Sequence, residues 1–198
     1  TNKKYINNKY SIKNDFDFHI SKKIHHLKCK MIFFSSRKIY KIDDNIKENN
    51  KKNPNCNYSK NKLNTEKKLV KLMKNKVLIL RLSNLIGPNK PTSSKRKLHS
   101  TFIYSFFNNI KKAIMYENKQ IYKDFVSVDK LSEIILKCIK NNVYGIYNVS
   151  LGEKVYLNKL VYWLNFYNKS EFKTIDIPSN FNRECFYLNN DKLKKKLI

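Results

Sequence analysis

The stretch that decides the fold runs from residue 31 to residue 84 and holds two apolar segments with a tyrosine and a lysine between them. The first apolar segment is MIFFSS (residues 31–36), the middle segment is YSKNK (residues 58–62), and the second apolar segment is VLILRLSN (residues 77–84). Short apolar runs beside turn signals are typical of buried strands. The order strand, loop, helix, strand predicts an α/β fold, with hydroxyl side chains at the end of the first strand.

The residues between the two predicted strands have the spacing of a helix. The helical spacing is that of Leu63, Leu69, Val70 and Met73, and lysines occupy several of the positions between them. Pro54, followed by two asparagines, marks the start of the helix. Residues four apart lie on the same helical face, so the ammonium of Lys62 is expected beside the phenol of Tyr58.

This spacing gives the Tyr/Lys pair a chemical use. A free tyrosine has a pKa near ~10, whereas a cation about 4 Å away, at an effective dielectric of about 20, favours phenolate by up to ~4 kcal/mol. Tyr58 would then act as a general acid/base near neutral pH. Ser36, at the end of the first strand, would hydrogen-bond the same substrate oxygen. We predict Ser36, Tyr58 and Lys62 as catalytic residues, although an isolated Tyr-x-x-x-Lys in a lysine-rich chain also arises by chance on a helix surface.

Five segments, taken in order, resemble a known family. They are SSRKIY (residues 35–40), the Tyr58/Lys62 segment, LRLSNLIGP (residues 80–88), KDFVSVD (residues 123–129) and GIYNVSLGE (residues 145–153). This series is similar to the extended short-chain dehydrogenase/reductases, which are nucleotide-sugar epimerases, dehydratases and reductases. The resemblance implies the C-terminal part of a Rossmann-type doubly wound parallel sheet with a small interleaved substrate domain, and NAD or NADP as cofactor.

The resemblance also implies roles for single residues. Tyr58 and Lys62 would bind the cofactor at the nicotinamide ribose as well as act in catalysis. Ser36 and Asn84 would contact the nucleotide-sugar substrate, and Arg183 would bind its diphosphate. The chain departs from the family pattern at three positions, which leaves the subfamily open. A lysine follows Tyr40 in place of glycine, Ser127 replaces a histidine, and a lysine replaces an aspartate at position 130.

The glycines do not follow the family pattern. The family opens with G-x-x-G-x-x-G, where backbone N–H groups hold the cofactor pyrophosphate, but this chain has glycine only at positions 87, 145 and 152. We expect a fragment whose cofactor-binding half lies upstream, with a natural truncation as the alternative. Residues 1–90 and 121–150 would be the remaining part of the NAD(P)-binding Rossmann-like domain. Residues 91–120 and 151–198 would be the substrate-binding C-terminal portion.

Several functions fit these features. The first is an NAD(P)-dependent epimerase or oxidoreductase that acts on a nucleotide-linked sugar. A second is a 4-keto-sugar reductase similar to dTDP-dehydrorhamnose reductases. Dehydration ranks last, because dehydratases of the family carry an acidic pair where this chain has Arg37 and Lys38. From another class, the chain could be an inactive relative that serves as a binding subunit.

The net charge raises a third class, a nucleic-acid-binding protein. Lysine and arginine number 42 against 15 acidic residues, a net charge of +27. The lysines are dispersed over every predicted helix, and the four arginines are too few for the bidentate contacts that specific recognition favours. We therefore expect no nucleic-acid partner, and interpret the charge as a solvated lysine surface that attracts anionic substrates.

The remaining composition favours a cytoplasmic enzyme that binds no metal and no membrane. No apolar run reaches the roughly 20 residues that a membrane span needs, and no signal peptide is visible. The four cysteines lack metal-ligand spacing, so the cluster of His25, His26 and Cys29 is interpreted as a polar helix end. A homodimer is a further expectation.

Outside the central segment, the pattern predicts four more helices. One lies near residues 16–27 and another near residues 102–114. The other two lie near residues 131–139, with Asp129 as the N-cap, and near residues 157–164.

Overall fold

The chain alternates between helices and strands. A computed structural model describes residues 3–87, 116–117, 121–169, 175–176 and 185–197. Its α-helices are α1 (Lys3–Asn7), α2 (Phe16–Ile24), α3 (Asn57–Met73), α4 (Val128–Lys140), α5 (Leu157–Asn168) and α6 (Asp191–Leu197). Its strands are β1 (Met31–Ser36), β2 (Val77–Leu82), β3 (Asn84–Ile86), β4 (Tyr116–Glu117), β5 (Tyr122–Lys123), β6 (Phe125–Ser127), β7 (Gly145–Val149), β8 (Val155–Tyr156) and β9 (Ile175–Asp176). Short 3-10 turns cover Ile12–Asn14, Arg37–Ile39 and Lys74–Lys76.

The central sheet is parallel and has the strand order β1-β2-β7. Met31 pairs with Val77 at one end of β1, and Ser36 pairs with Leu82 at the other. Parallel neighbours need a crossover connection, and α3 supplies the one between β1 and β2. The carboxyl ends of the strands therefore meet at one edge of the sheet, which is where open α/β sheets bind ligands.

Helices cover both faces of this sheet, as in a doubly wound fold. On one face, α3 packs against β1 and β2 through a buried cluster. On the other face, α4 and α6 pack against β2 and β7. The first cluster contains Met31, Phe33, Leu69, Met73, Val77 and Ile79. The second contains Leu78, Leu80, Val126, Leu131, Cys138, Val143, Tyr147, Val149 and Leu193. The predicted α/β class is confirmed.

Small strand pairs lie near the carboxyl edge of the central sheet and form separate two-stranded sheets. β3 and β6 form a parallel pair, and β5 and β8 form an antiparallel pair. α5 packs beside them through Leu157, Leu160 and Val161, which contact the buried Phe125. The predicted second strand thus divides in two, because β2 ends at Leu82 and β3 pairs with a different strand.

Most predicted helices are confirmed in the residues that the structure describes. The central helix, the N-terminal helix and the helices near residues 131–139 and 157–164 correspond to α3, α2, α4 and α5. The predicted cap of α4 is wrong, because the side chain of Ser127 accepts the N–H of Lys130. Asp129 lies instead in the first turn, where a negative charge favours the helix dipole. The helix predicted near residues 102–114 lies outside the described residues.

The predicted polar end of the N-terminal helix is also observed, since His25 is the C-cap of α2. Among the described residues, no group of three or more histidine, cysteine or acidic side chains is placed to hold a metal ion. Within the same ranges, no helix is both long and apolar enough to cross a membrane.

Candidate active site

Two of the three predicted catalytic residues lie together at the carboxyl edge of the sheet. Ser36 ends β1 and caps the following 3-10 turn, with its hydroxyl accepting the N–H of Lys38 at 3.3 Å. The side chain of Ser36 lies close enough to the Tyr58 phenol to lower its pKa. Tyr58 lies in the first turn of α3 and is half-buried. A serine and a phenol are therefore presented side by side where a substrate oxygen could reach both.

The first turn of α3 is held by a reciprocal cap. The backbone N–H of Cys56 donates to the hydroxyl of Ser59 at 3.2 Å, and the Cys56 side chain accepts the backbone N–H of Ser59 in return. Such a capping box satisfies N–H groups that have no partner within the helix. It fixes the position of Tyr58, two residues after the cap.

The phenol does not have the lowered pKa that the Tyr/Lys spacing predicts. Burial raises the pKa of Tyr58 above its usual value, the side chain of Ser36 lowers it, and the charge of Cys56 raises it again. Lys62 is not among the groups that act on it. Without bound ligands, Tyr58 is therefore a protonated phenol whose pKa is set by burial.

The reason is the direction in which Lys62 points. Its ammonium donates to the carbonyl of Phe34 at 2.8 Å and lies 4.4 Å from the centre of the Phe33 ring. Burial lowers the pKa of Lys62, whereas the charges of Asp17, Asp15 and Glu66 raise it. The ammonium is thus held against β1, one turn along α3 from the phenol, and no hydrogen bond joins it to Tyr58.

A buried ion pair missed by the sequence analysis lies one turn further along α3. Both oxygens of Glu66 accept from Arg81 on β2, at 3.1 and 2.6 Å. Arg81 also donates to the hydroxyl of Tyr40 at 2.7 Å and to the carbonyl of Glu48 at 2.9 Å. An arginine inside an apolar strand was the available signal, since a buried charge needs a partner.

This ion pair continues into a network that crosses the sheet. Tyr40 donates to the Oδ1 of Asn148 on β7 at 2.7 Å. The amide of Asn148 donates in turn to the carbonyl of Ile46 at 2.8 Å, and its backbone N–H donates to the carboxylate of Glu48 at 2.9 Å. The network fastens the loop after β1 to the sheet, and so holds the segment between Ser36 and Tyr58.

The structure describes only one of the two further residues that are predicted to bind the substrate. Asn84 begins β3 at the carboxyl edge, and its side-chain amide donates to the carbonyl of Asp124 at 3.0 Å. Arg183 lies outside the described residues. Two buried hydroxyls at the same edge, those of Ser35 and Ser83, have no hydrogen-bond partner among the described residues. A buried hydroxyl without a partner costs free energy, so a polar ligand group that reaches these positions would bind favourably.

Asp124, next to Asn84 across the strand pair, joins three chain segments. Its fully buried carboxylate accepts the N–H groups of Leu151 at 3.2 Å and Leu188 at 2.8 Å. Burial raises the pKa of Asp124 to about 6, although the hydrogen bonds that it accepts act in the opposite direction. This residue fastens the segment after β7 to the segment before α6.

Solved structures of sugar-nucleotide enzymes share the fold. UDP-N-acetylglucosamine 4-epimerase from Methanobrevibacter ruminantium M1 aligns with a TM-score of 0.73 and 21% identity, over 93% of this chain and 62% of its own. dTDP-4-dehydrorhamnose reductase from Bacillus anthracis aligns with a TM-score of 0.71 and 17% identity, over 90% and 62%. UDP-glucuronic acid 4-epimerase from Bacillus cereus aligns with a TM-score of 0.71 and 15% identity, over 89% and 58%.

These similarities confirm the Rossmann-type fold, and the chain spans about 60% of the length of the structures it matches. No curated protein sequence matches the chain. The sequence profile of the NAD dependent epimerase/dehydratase family matches residues 17–150, which is about two thirds of the chain. The matched range contains β1, α3 and β2 with Ser36, Tyr58 and Lys62. The chain belongs to the NAD dependent epimerase/dehydratase family.

Proposed function

We propose that the native protein carrying this chain is an NAD(P)-dependent epimerase or oxidoreductase of a nucleotide-linked sugar, with Ser36, Tyr58 and Lys62 as its catalytic residues. One observation carries the proposal. Ser36 lies beside Tyr58 at the carboxyl edge of a parallel sheet, close enough to act on the phenol, and a buried ammonium follows one turn along the same helix.

The residues at this edge fit a nicotinamide cofactor, NAD or NADP. An ammonium has three N–H donors, and Lys62 uses one of them on the Phe34 carbonyl, so two remain for ribose hydroxyls. Ser35 adds a buried hydroxyl without a partner among the described residues. The two relatives from Bacillus were solved in complex with NADP and NAD. When bound, the cofactor supplies hydride transfer.

The residues of this chain would position the sugar and the cofactor and would supply the proton. The hydroxyl of Ser36 would hold the reacting oxygen of the sugar against the phenol. Tyr58 would give a proton to that oxygen when a carbonyl is reduced, and take it back when a hydroxyl is oxidised. Lys62 would fix the ribose beside them, because its ammonium is already ordered by burial and by the Phe34 carbonyl.

A second candidate, a 4-keto-sugar reductase, is favoured by one observation. Burial raises the pKa of Tyr58 in the absence of ligands, so the phenol carries the proton that carbonyl reduction needs. A protein dedicated to reduction would use this state directly, whereas an epimerase must use the phenol in both directions.

Substrate binding is assigned to two further residues and to the surface charge. Asn84 would contact the sugar nucleotide from the start of β3, and Arg183 would bind the diphosphate. Residues 91–120 and 151–198 would form the substrate-binding portion, and residues 1–90 and 121–150 would form part of the cofactor domain. A net charge of +27 would raise the local concentration of a nucleoside diphosphate sugar.

The test is an assay of the native protein against UDP-sugars and dTDP-4-keto sugars with each nicotinamide cofactor. Product NMR should detect inversion at the sugar 4-position for an epimerase. Loss of reduced-nicotinamide absorbance with a keto sugar would select the reductase. If neither product forms while nucleotide sugars still bind, the protein is the inactive binding subunit, and the enzymatic proposal fails.

A further inference from the structure

A fully buried carboxylate lies close to Lys62 and has no role in the proposed chemistry. Asp15 is 0% exposed and caps α2, with Oδ1 accepting the N–H of Phe18 at 3.0 Å. Its Oδ2 accepts from the hydroxyls of Tyr10 and Thr65, both at 2.7 Å. All three of these donors are neutral. A buried anion is costly unless a cation lies nearby, so the charge that balances Asp15 has to be sought beyond its hydrogen bonds.

The hydrogen bonds of Asp15 lead to the helical face that carries Lys62. Thr65 lies three residues after Lys62 on α3, and residues at this spacing are neighbours on a helix. The hydroxyl of Thr65 is also hydrogen-bonded to that of Tyr5 at 2.7 Å. The Tyr5 ring lies 5.9 Å from the ammonium of Lys62. Asp15, Thr65, Tyr5 and Lys62 therefore share one buried environment between α1, α2 and α3.

A second carboxylate belongs to the same end of α2. Asp17 lies in the first turn of the helix and is half-buried. Burial raises the pKa of Asp17, and the charge of Lys62 lowers it. The two residues therefore sense each other's charge, although no hydrogen bond joins them.

We propose that Asp15 and Asp17, at the start of α2, are the counter-charge of Lys62 and keep its buried ammonium protonated. Lys62 is 7% exposed, and an unpaired ammonium at such a site tends to lose its proton. A neutral amine would contribute no charge to the site at which the proton is transferred. The start of α2 is therefore a positioning element for Lys62.

Glu66 also raises the pKa of Lys62, but less than Asp17 and Asp15 do, and the remaining titratable groups that face Lys62 are neutral. On α3, Glu66 is committed to Arg81 through two hydrogen bonds, and Tyr58 is a protonated phenol. On α1, Tyr5 is also a phenol, and burial raises its pKa. β1 has the sequence MIFFSS and carries no charge.

A second lysine packs against aromatic rings near the start of α2. The ammonium of Lys68 lies 5.7 Å from the centre of the Tyr10 ring and 5.1 Å from that of Phe18. Both of those residues are hydrogen-bonded to Asp15. A second ammonium therefore lies near the start of α2.

The experiment measures the pKa of Lys62 directly, in the native protein labelled with ¹⁵N-lysine. The resonance of Lys62 is assigned by its loss in Lys62→Arg. The variants are Asp17→Asn, Asp15→Asn and the double variant, with Glu133→Gln as the control. Glu133 is 61% exposed on α4, so its substitution removes the same charge far from Lys62.

We expect the pKa of Lys62 to fall in each aspartate variant, to fall furthest in the double variant, and to stay constant in Glu133→Gln. Asp15 also caps α2, so if Asp15→Asn does not fold, Asp17→Asn decides the question, because the side chain of Asp17 makes no hydrogen bond with the residues that the structure describes. An unchanged Lys62 titration in folded Asp17→Asn would overturn the proposal.

The counter-charge of Lys62 rests on the proposed function only for its effect on catalysis. Kinetic measurements distinguish a failure of the counter-charge from a failure of the catalytic role. If Lys62 acts in catalysis, the alkaline limb of the pH–rate profile should move to lower pH in Asp17→Asn. If the pKa of Lys62 falls while the profile stays in place, the counter-charge is established and the catalytic role of Lys62 is contradicted.

Discussion

Helix α3 carries two buried charges on successive turns, and their surroundings differ. Glu66 is matched by a bidentate arginine, which a tyrosine hydroxyl and a carbonyl hold in turn. The Lys62 ammonium donates to one carbonyl and lies over the faces of two aromatic rings. The carboxylates proposed to balance its charge lie further away. Arg81 uses four of its five N–H donors in this ion pair and its surroundings, whereas the Lys62 ammonium uses one of its three. The first region holds the fold together, and the second is available for chemistry.

The largest expected effect is on turnover, from a change that keeps the ring and removes the proton. Tyr58→Phe should lower kcat of the native protein by roughly 10²–10⁴, the usual loss of a general acid/base. Folding should survive, since the ring still fills its half-buried site. The matched control is Tyr162→Phe on α5, where the ring is 66% exposed. Equal activity of the two variants would contradict a catalytic role of Tyr58, and the spacing of Tyr58 and Lys62 would then have arisen by chance.

Loss of the Glu66–Arg81 ion pair should lower the stability of the fold. Arg81→Met leaves the Glu66 carboxylate buried and unpaired, so the free energy of unfolding should fall by about 3–5 kcal/mol. The double variant Arg81→Met/Glu66→Leu should recover much of this loss, because it removes both charges. The exposed pair Lys130–Glu133, at 2.9 Å, is the control, and Lys130→Met should cost at most about 1 kcal/mol. Urea unfolding measures all three, and equal losses at the buried and exposed pairs would contradict the comparison.

Removal of the ammonium should weaken cofactor binding. Lys62→Met keeps most of the apolar stem and loses the donors proposed for the ribose. A hydrogen bond to a charged group contributes about 1.5–3 kcal/mol, so the Kd for the cofactor should rise by roughly 10–100-fold. Lys60→Met, an exposed lysine on the same helix, is the control in the same calorimetric titration. Equal affinities in the two variants would remove Lys62 from the cofactor site.

Much of this arrangement was predictable, because it depends on local patterns. The apolar run that ends at Ser36 and the helical spacing from Leu63 to Met73 predicted β1 and α3, and their order brought serine and tyrosine to one edge. Spacing assigns Lys62 to a helical face but does not give the rotamer that directs its ammonium to the Phe34 carbonyl. The pairing of Glu66 with Arg81 depends on the register of α3 against β2, which no local pattern specifies.

The pKa of Tyr58 in the absence of ligands tests which neighbouring residue controls the phenol. The side chain of Ser36 lowers the pKa of Tyr58, so Ser36→Ala should raise that pKa. Lys62→Met should leave the phenol titration in place, because the ammonium is directed to β1. Tyrosine ¹³Cζ NMR measures both variants, with Tyr58→Phe for assignment. A rise in the Lys62 variant and none in the Ser36 variant would restore the original interpretation, in which the lysine controls the phenol.

The smallest expected effect is a pH dependence of stability from Asp124. Burial raises the pKa of its carboxyl to about 6 in the folded chain, against about 3.9 for an unfolded aspartate. Between these values the folded state binds more protons than the unfolded state. The contribution of this group to stability is therefore present in full below about pH 4, and is lost as the pH rises through about 6.

The measurement is urea unfolding between about pH 4 and 6.5 for the wild type, Asp124→Asn and the control Asp129→Asn, in which the replaced side chain is exposed. The free energy of unfolding of the wild type and of the control should decline relative to that of Asp124→Asn as the pH rises, because only the Asp124 variant lacks the titrating group. The wild type and Asp124→Asn share all other titrating groups, which cancel in the difference between these two proteins. If the difference grows in the opposite direction, the hydrogen bonds from Leu151 and Leu188 outweigh burial, and Asp124 is an ionised anchor of the carboxyl edge.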